Sequence, residues 1–181
     1  MSEMQRIKRK IVLVGDGAVG KTSLARRFVY SQFSDDYLMT VGFKVSSKKI
    51  IYPEFDNNSD VELTLMIWDI MGQKGYSLTP QTAFLGSKGA ILVCDLTRKE
   101  TLLDLPTLTT SLFGTTKKIP IVFIANKKDL VDKHEFTEKG ISDMATTYHA
   151  PYYITSAKTG ENVEHAFKVL GEMILKEQEL S

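Results

Sequence analysis

Residues 15–23 read Gly15, Asp16, Gly17, Ala18, Val19, Gly20, Lys21, Thr22, Ser23, directly after the aliphatic run IVLV. Three glycines over six positions suit neither a helix nor a strand. They do let successive amide N–H groups turn into one concavity, and such a concavity suits phosphate oxygens. Gly15 to Thr22 fit the pattern G-x-x-x-x-G-K-[ST], with a predicted strand before it and a predicted helix after it. The helix expected from about Gly20 adds its positive end. Lys21 can reach β- and γ-phosphates, the Thr22 hydroxyl can ligate Mg²⁺, and Ser23 completes the phosphate-binding stretch.

A second group offers a means of reading a base. Asn126, Lys127, Lys128 and Asp129 follow the apolar run IVFIA, giving N-K-x-D at the carboxyl end of a predicted strand. Ligands of open α/β sheets bind at such ends. An ionised Asp129 can accept two hydrogen bonds, from N1–H and the N2 amino group of guanine. Adenine lacks that donor pair, and a missing partner in a hydrogen-bonding site can cost ~10⁴-fold in selectivity. Downstream, Thr155, Ser156, Ala157 and Lys158 end another predicted strand. The Ala157 N–H suits guanine O6, and the stems of Lys127 and Lys158 can flank the ring. A third group, Asp69, Ile70, Met71, Gly72, gives D-x-x-G at the end of an alternating strand. Asp69 is placed to hold Mg²⁺ through water, the Gly72 N–H to meet the γ-phosphate, and Gln73 to orient an attacking water.

These groups need a scaffold that brings strand ends together, and the rest of the chain supplies the pattern for one. Strands are predicted over Ile7–Val14, Phe43–Tyr52, Val61–Trp68, Ala90–Cys94, Ile119–Ala125 and Tyr152–Thr155. Val61, Leu63, Leu65 and Ile67 alternate with Glu62, Thr64 and Met66, so one face of that strand is apolar. The turn-rich PEFDNNSD before it predicts a hairpin. Helices are expected over Lys21–Tyr30, from an N-cap near Asp104 with Pro106 in the first turn, over Phe136–Tyr148, and behind Gly160, where Val163, Phe167, Leu170 and Ile174 recur. The expectation is one α/β domain over 1–181, a mostly parallel sheet with one antiparallel strand and helices on both faces.

Bulk composition narrows the class further. The chain has 181 residues, of which 43% are hydrophobic and 25% charged, as in ordinary globular proteins. A net charge of +1 gives no broad basic field, so no nucleic-acid partner is expected. The single cysteine, Cys94, forbids an internal disulfide and fits a reducing, cytoplasmic setting. No apolar run approaches the ~20 residues of a membrane span, and no signal peptide is expected. The basic start (Arg6, Lys8, Arg9, Lys10) reads as a solvated strand edge, and His134, His149 and His165 as surface residues.

Taken in order, GDGAVGKTS, FSDDYLMT, WDIMGQ, NKKD and TSAK resemble the motifs of the Ras superfamily of small GTPases, most of all its Rab branch. The resemblance covers nearly the whole chain. It implies a P-loop NTPase fold of six strands and five helices that binds GTP or GDP with Mg²⁺ and hydrolyses GTP slowly. It also implies effectors, exchange factors and GTPase-activating proteins as partners of a monomeric switch, in membrane traffic or signalling. FSDDYLMT then corresponds to switch I. There Thr40 binds Mg²⁺ and the γ-phosphate, Phe33 lies against the guanine, and Tyr37 closes over the phosphates. Switch II begins at Asp69 and runs to about Leu85. Catalysis falls to Gln73, Lys21 and Gly72, and Phe43, Trp68 and Tyr76 offer apolar contacts to effectors.

Several positions depart from the family pattern. DIMGQK stands where D-T-A-G-Q-E is usual, so Met71 replaces a small residue and Lys74 reverses a charge. Met39 stands where Ras and many relatives have proline, and the hairpin around Pro53–Asp60 is long. MILKEQELS carries no cysteine for prenylation, so no prenyl anchor is expected. No arginine occurs from Phe33 to Lys44, so switch I holds no built-in arginine finger. Met71 and Lys74 keep open a second reading, a module that binds GTP without appreciable hydrolysis.

Overall fold

The computed structural model describes residues 4–34, 42–56, 59–70 and 80–179. Along the chain run β1 (Gln5–Val14), α1 (Lys21–Tyr30), β2 (Phe43–Asp56), β3 (Ser59–Ile70), α2 (Pro80–Phe84), β4 (Gly89–Asp95), α3 (Lys99–Leu103) and α4 (Leu105–Thr116). β5 (Ile121–Asn126), α5 (Glu138–Thr147), β6 (Tyr152–Ile154) and α6 (Val163–Glu179) follow. The strands form one six-stranded sheet in the order β2-β3-β1-β4-β5-β6. Only the β2–β3 pair is antiparallel. This is the predicted mostly parallel sheet, with helices on both faces.

Burial on both faces explains the all-aliphatic strand centres. Ile11 and Leu13 of β1 join a core beneath α1 and α6, where Phe28 and Phe167 stack 4.2 Å apart. Val12 and Val14 face the other way, into a core closed by Phe84, Leu102, Leu105, Leu108, Leu112 and Ile141. The alternation in β3 is as expected: Val61, Leu63, Leu65 and Ile67 are buried in the first core. Cys94 is buried in β4 among the apolar residues of the second core, and burial pushes its thiol pKa well up.

The helix expected from Asp104 is α4, with Asp104 at its N-cap and Pro106 in its first turn, and the short α3, which the sequence did not predict, directly precedes it. Pro106 has no N–H to give the preceding turn, which ends one helix and begins the next. The Asp104 side chain makes no cap hydrogen bond. With α3 the described residues hold six α-helices rather than five. Two local expectations need correction, one in the β2–β3 hairpin and one at His134. PEFDNNSD is mostly strand and not turn: pairing continues to Asp56 opposite Ser59, with a register shift after Tyr52 and Glu54 at φ 51°. His134 is half-buried against the Lys127 carbonyl, 3.2 Å away, and not simply on the surface. The basic residues of β1 do lie on a half-open edge. Pairing with β3 starts at Gln5, but pairing with β4 starts only at Ile11.

Candidate nucleotide-binding site

Because β1, β3, β4, β5 and β6 run parallel, their carboxyl ends meet on one side of the molecule. The buried polar residues concentrate there: Asp16, Lys21, Asp69, Asp95, Asn126, Thr155 and Ser156. Buried polar groups are kept only where they find partners or serve a ligand.

The glycine-rich loop leaves β1 and enters α1 through Gly20, at φ 103°. Each of its glycines meets a different neighbour. A Cβ on Gly15 would lie 2.4 Å from the Val93 carbonyl oxygen, so the loop is pressed against β4. A Cβ on Gly20 would lie 2.3 Å from the amide nitrogen of Asn126. A Cβ on Gly17 would meet nothing within 4 Å. Lys21 Nζ crosses back under the loop and donates to the carbonyls of Gly15 (2.9 Å) and Asp16 (2.7 Å). Burial lowers its pKa to about 8, against the opposing pull of Asp69 and Asp16.

Asn126 ties residues 126–129 to the glycine-rich loop. Its Nδ2 donates to the Val19 carbonyl (3.1 Å), and its Oδ1 accepts from the Thr155 hydroxyl (3.0 Å) and the Ala157 N–H (3.2 Å). Asp129 accepts from the Ser156 hydroxyl at 2.7 Å, so the carboxylate is held by the 155–158 motif. Arg27 of α1 holds that motif from behind, donating to the carbonyls of Ala157 (2.8 Å) and Lys158 (2.5 Å). The structure thus brings 15–23, 126–129 and 155–158 into one site. Phe33, by contrast, packs partly buried against the core beneath α1 and α6.

The Thr22 hydroxyl donates to the Asp69 carboxylate across the gap between α1 and β3. Hydroxyl and carboxylate oxygens side by side are a donor set suited to a hard cation such as Mg²⁺. Among the described residues no three His, Cys, Asp or Glu side chains gather as a metal cage. Tyr37, Thr40, Met71, Gly72, Gln73, Lys74 and Tyr76 lie outside the described residues.

Sequence reasoning missed two residues of this site, Asp95 and Arg98. Asp95 ends β4 as Asp69 nearly ends β3, with a side chain 0% exposed and bound to Lys127 Nζ at 2.6 Å. Arg98 Nη2 donates to the Gly17 carbonyl at 2.6 Å. The available signal was an aspartate closing a buried aliphatic strand, AILVCD, where only apolar residues were needed.

A glycine-rich loop between the first strand and helix of this mostly parallel six-stranded sheet is the P-loop NTPase arrangement. The Ras family model matches residues 10–176. Human Ras-related protein Rab-4A is 34% identical over 180 residues, covering 99% of this chain and 80% of that protein. Human Ras-related protein Rab-27B is 31% identical over 176 residues, covering 94% and 81%, and mouse Rab-27A is 29% identical over the same length. The chain belongs to the Ras family of small GTPases and is Rab-like.

Proposed function

We propose that this protein is a guanine-nucleotide switch that binds GTP and GDP with Mg²⁺, hydrolyses GTP slowly, and engages partners through its two switch regions. One observation carries the reading: the Asn126 amide joins the phosphate loop, through Val19, to the motif that holds Asp129, through Ala157. A single ligand with phosphates at one end and guanine at the other would span that connection.

In this reading Lys21 and the amides of residues 15–22 hold the β- and γ-phosphates, and Asp129 reads the guanine edge. Thr22 and Asp69 would hold Mg²⁺, which when bound neutralises charge on the phosphates. Thr40 and Gly72 meet the γ-phosphate, so its loss releases both switches. Gln73 orients the attacking water. With no arginine in switch I, turnover is slow until a partner supplies one, a gain of up to ~10⁵-fold in the example of Ras. The open space at Gly17 leaves room for that residue.

The surface beside switch I suits an apolar partner. Phe43 is 53% exposed and stacks on Trp68 at 4.7 Å between ring centres. Lys10 lies over the same indole, 3.7 Å from its centre. The similarity to Rab proteins supports a role in membrane traffic.

The test is to identify the nucleotide released from purified protein and to follow single-turnover GTP hydrolysis. Release of GDP or GTP, slow turnover, and a Gln73→Leu variant that binds GTP but loses most of the rate are expected. Displacement by ATP as readily as by GTP would refute the reading. Tight GTP binding with no turnover, and no change on Gln73→Leu, would favour the binding-only module that Met71 and Lys74 suggest.

A further inference from the structure

The tight turn after β4, Asp95-Leu96-Thr97-Arg98, carries a charged network that the family motifs leave unused. Asp95 Oδ1 accepts from the Thr97 N–H (2.8 Å) and hydroxyl (2.7 Å). Its Oδ2 takes Lys127 Nζ (2.6 Å) and Arg98 Nε (3.3 Å). Burial alone would raise the Asp95 pKa, but the hydrogen bonds from Lys127 and Thr97 outweigh it and hold the carboxyl below its ordinary range. It is therefore a fixed anion with two cations on it, and each cation leads to a different half of the site.

Lys127 belongs to the base-reading motif. With its ammonium on Asp95, its stem is held in one place beside the position of the base. Arg98 leads the other way. Its Nη2 donates to the Gly17 carbonyl (2.6 Å), and its Nη1 lies 3.7 Å from Asp16 Oδ2. Asp16 Oδ1 in turn accepts from the Gly17 N–H at 2.7 Å. All three guanidinium nitrogens are thus committed, and the side chain is only 31% exposed.

The Gly17 carbonyl and the Ala18 N–H are the two ends of one peptide unit, and no peptide bond here is cis. In a trans unit the two point in opposite directions. A cation clamped on the carbonyl therefore turns the N–H away from Arg98, and by polarising the unit it makes that N–H a stronger donor. Ala18 sits at φ 61°, a conformation that alanine does not hold without support.

We propose that Asp95 and Arg98 are positioning residues for the nucleotide: Asp95 sets Lys127 for the base and Arg98 for the phosphate loop, and Arg98 presents the Ala18 N–H to the diphosphate. The proposal rests on the guanine-nucleotide reading above.

The test compares GDP with GMP as competitors of a fluorescent GDP analogue on the whole protein. A residue acting through the phosphate loop should matter to GDP and not to GMP, whereas general damage to the fold weakens both. Arg98→Ala is expected to weaken GDP about tenfold, the worth of one charged hydrogen bond, and GMP less than twofold. Arg98→Lys keeps the charge but not the multi-point hold, and should lose about threefold on GDP alone. Asp95→Asn releases both cations and should weaken GDP and GMP together, about tenfold. Should Arg98→Ala fail to fold, Arg98→Lys decides by the same GDP-to-GMP ratio. Wild-type GDP affinity in the Arg98 variants, or equal loss of GDP and GMP in them, overturns the proposal while leaving the nucleotide reading intact. A wild-type protein that binds neither nucleotide overturns both.

Discussion

Glycines with one role in the motif have different physical duties in the loop. Gly20 combines φ 103° with the Asn126 amide 2.3 Å from its missing Cβ, so Gly20→Ala must displace the group that joins the two halves of the site. It should cost about 1–3 kcal/mol of stability and weaken nucleotide binding, seen in urea unfolding and nucleotide titration. Gly17→Ala meets only open space. It should fold within about 0.5 kcal/mol of wild type, yet lose most of the acceleration given by an activating protein, since that space is needed there. Equal stabilities of the two variants would show that the close approach at Gly20 is unimportant. On the proposed reading, base choice rests on another single residue, Asp129. Asp129→Asn replaces an acceptor with a donor toward the guanine N2 position, so it should weaken GTP and favour xanthine nucleotides. Unchanged guanine preference in competition binding would remove Asp129 from base reading.

Among the elements, the long β2–β3 hairpin is hydrogen-bonded to α6 through Tyr52. Tyr52 donates its hydroxyl to the Lys168 carbonyl at 2.7 Å, and burial raises its pKa well above the usual tyrosine range. Gly171, inside α6, is the counterpart. A Cβ there would lie 2.2 Å from the Tyr52 hydroxyl and 3.0 Å from a Leu63 methyl. Glycine inside a helix costs up to about 1 kcal/mol relative to alanine, so Gly171→Ala should stabilise an isolated helix. In this fold overpacking wins, and a net loss of about 1–2 kcal/mol is expected. The check is a lower urea midpoint at unchanged slope. With Tyr52→Val beneath it, the same substitution should become neutral or stabilising. A gain in the otherwise wild-type chain would show that Tyr52 yields freely.

Across the whole molecule, β3 connects the site to the outer surface. Asp69 faces Thr22, while the adjacent Trp68 turns to the other side of the sheet and stacks on Phe43 of β2. Trp68 is the only tryptophan. A change of nucleotide that reorders the segments after Phe33 and after Asp69 must therefore alter the surroundings of one indole. Exchange of GDP for a non-hydrolysable GTP analogue should change its emission, and Phe43→Ala should reduce that change. Identical spectra in the two nucleotide states would argue against a switch coupled to this surface. Binding also stabilises the whole fold: GDP at 100 times its Kd should add about 2.7 kcal/mol, or ~5–10 °C in Tm for a chain of this size. ATP at the same concentration should add almost nothing.

Much of the candidate site was legible from residues 15–22, 69, 126–129 and 155–158 alone, because a glycine-rich loop after a strand and polar residues at strand ends are local arrangements with their own residue types. The sheet was legible for a similar reason: alternation in Val61–Ile67 and aliphatic runs such as IVLV and IVFI report burial at the spacing of a strand. The short helix α3 and the strand through PEFDNNSD were not. Local turn chemistry there competes with pairing, and cross-strand pairing such as Asp56 with Ser59 decides the outcome. Least legible of all were the partners of the site. Arg98 meets a carbonyl 81 residues away and Arg27 one 130 residues away. Backbone carbonyls carry no residue signature. Only the order of strands in the sheet, which sets β4 between β1 and β5, brings Arg98 to the phosphate loop and Asp95 to Lys127.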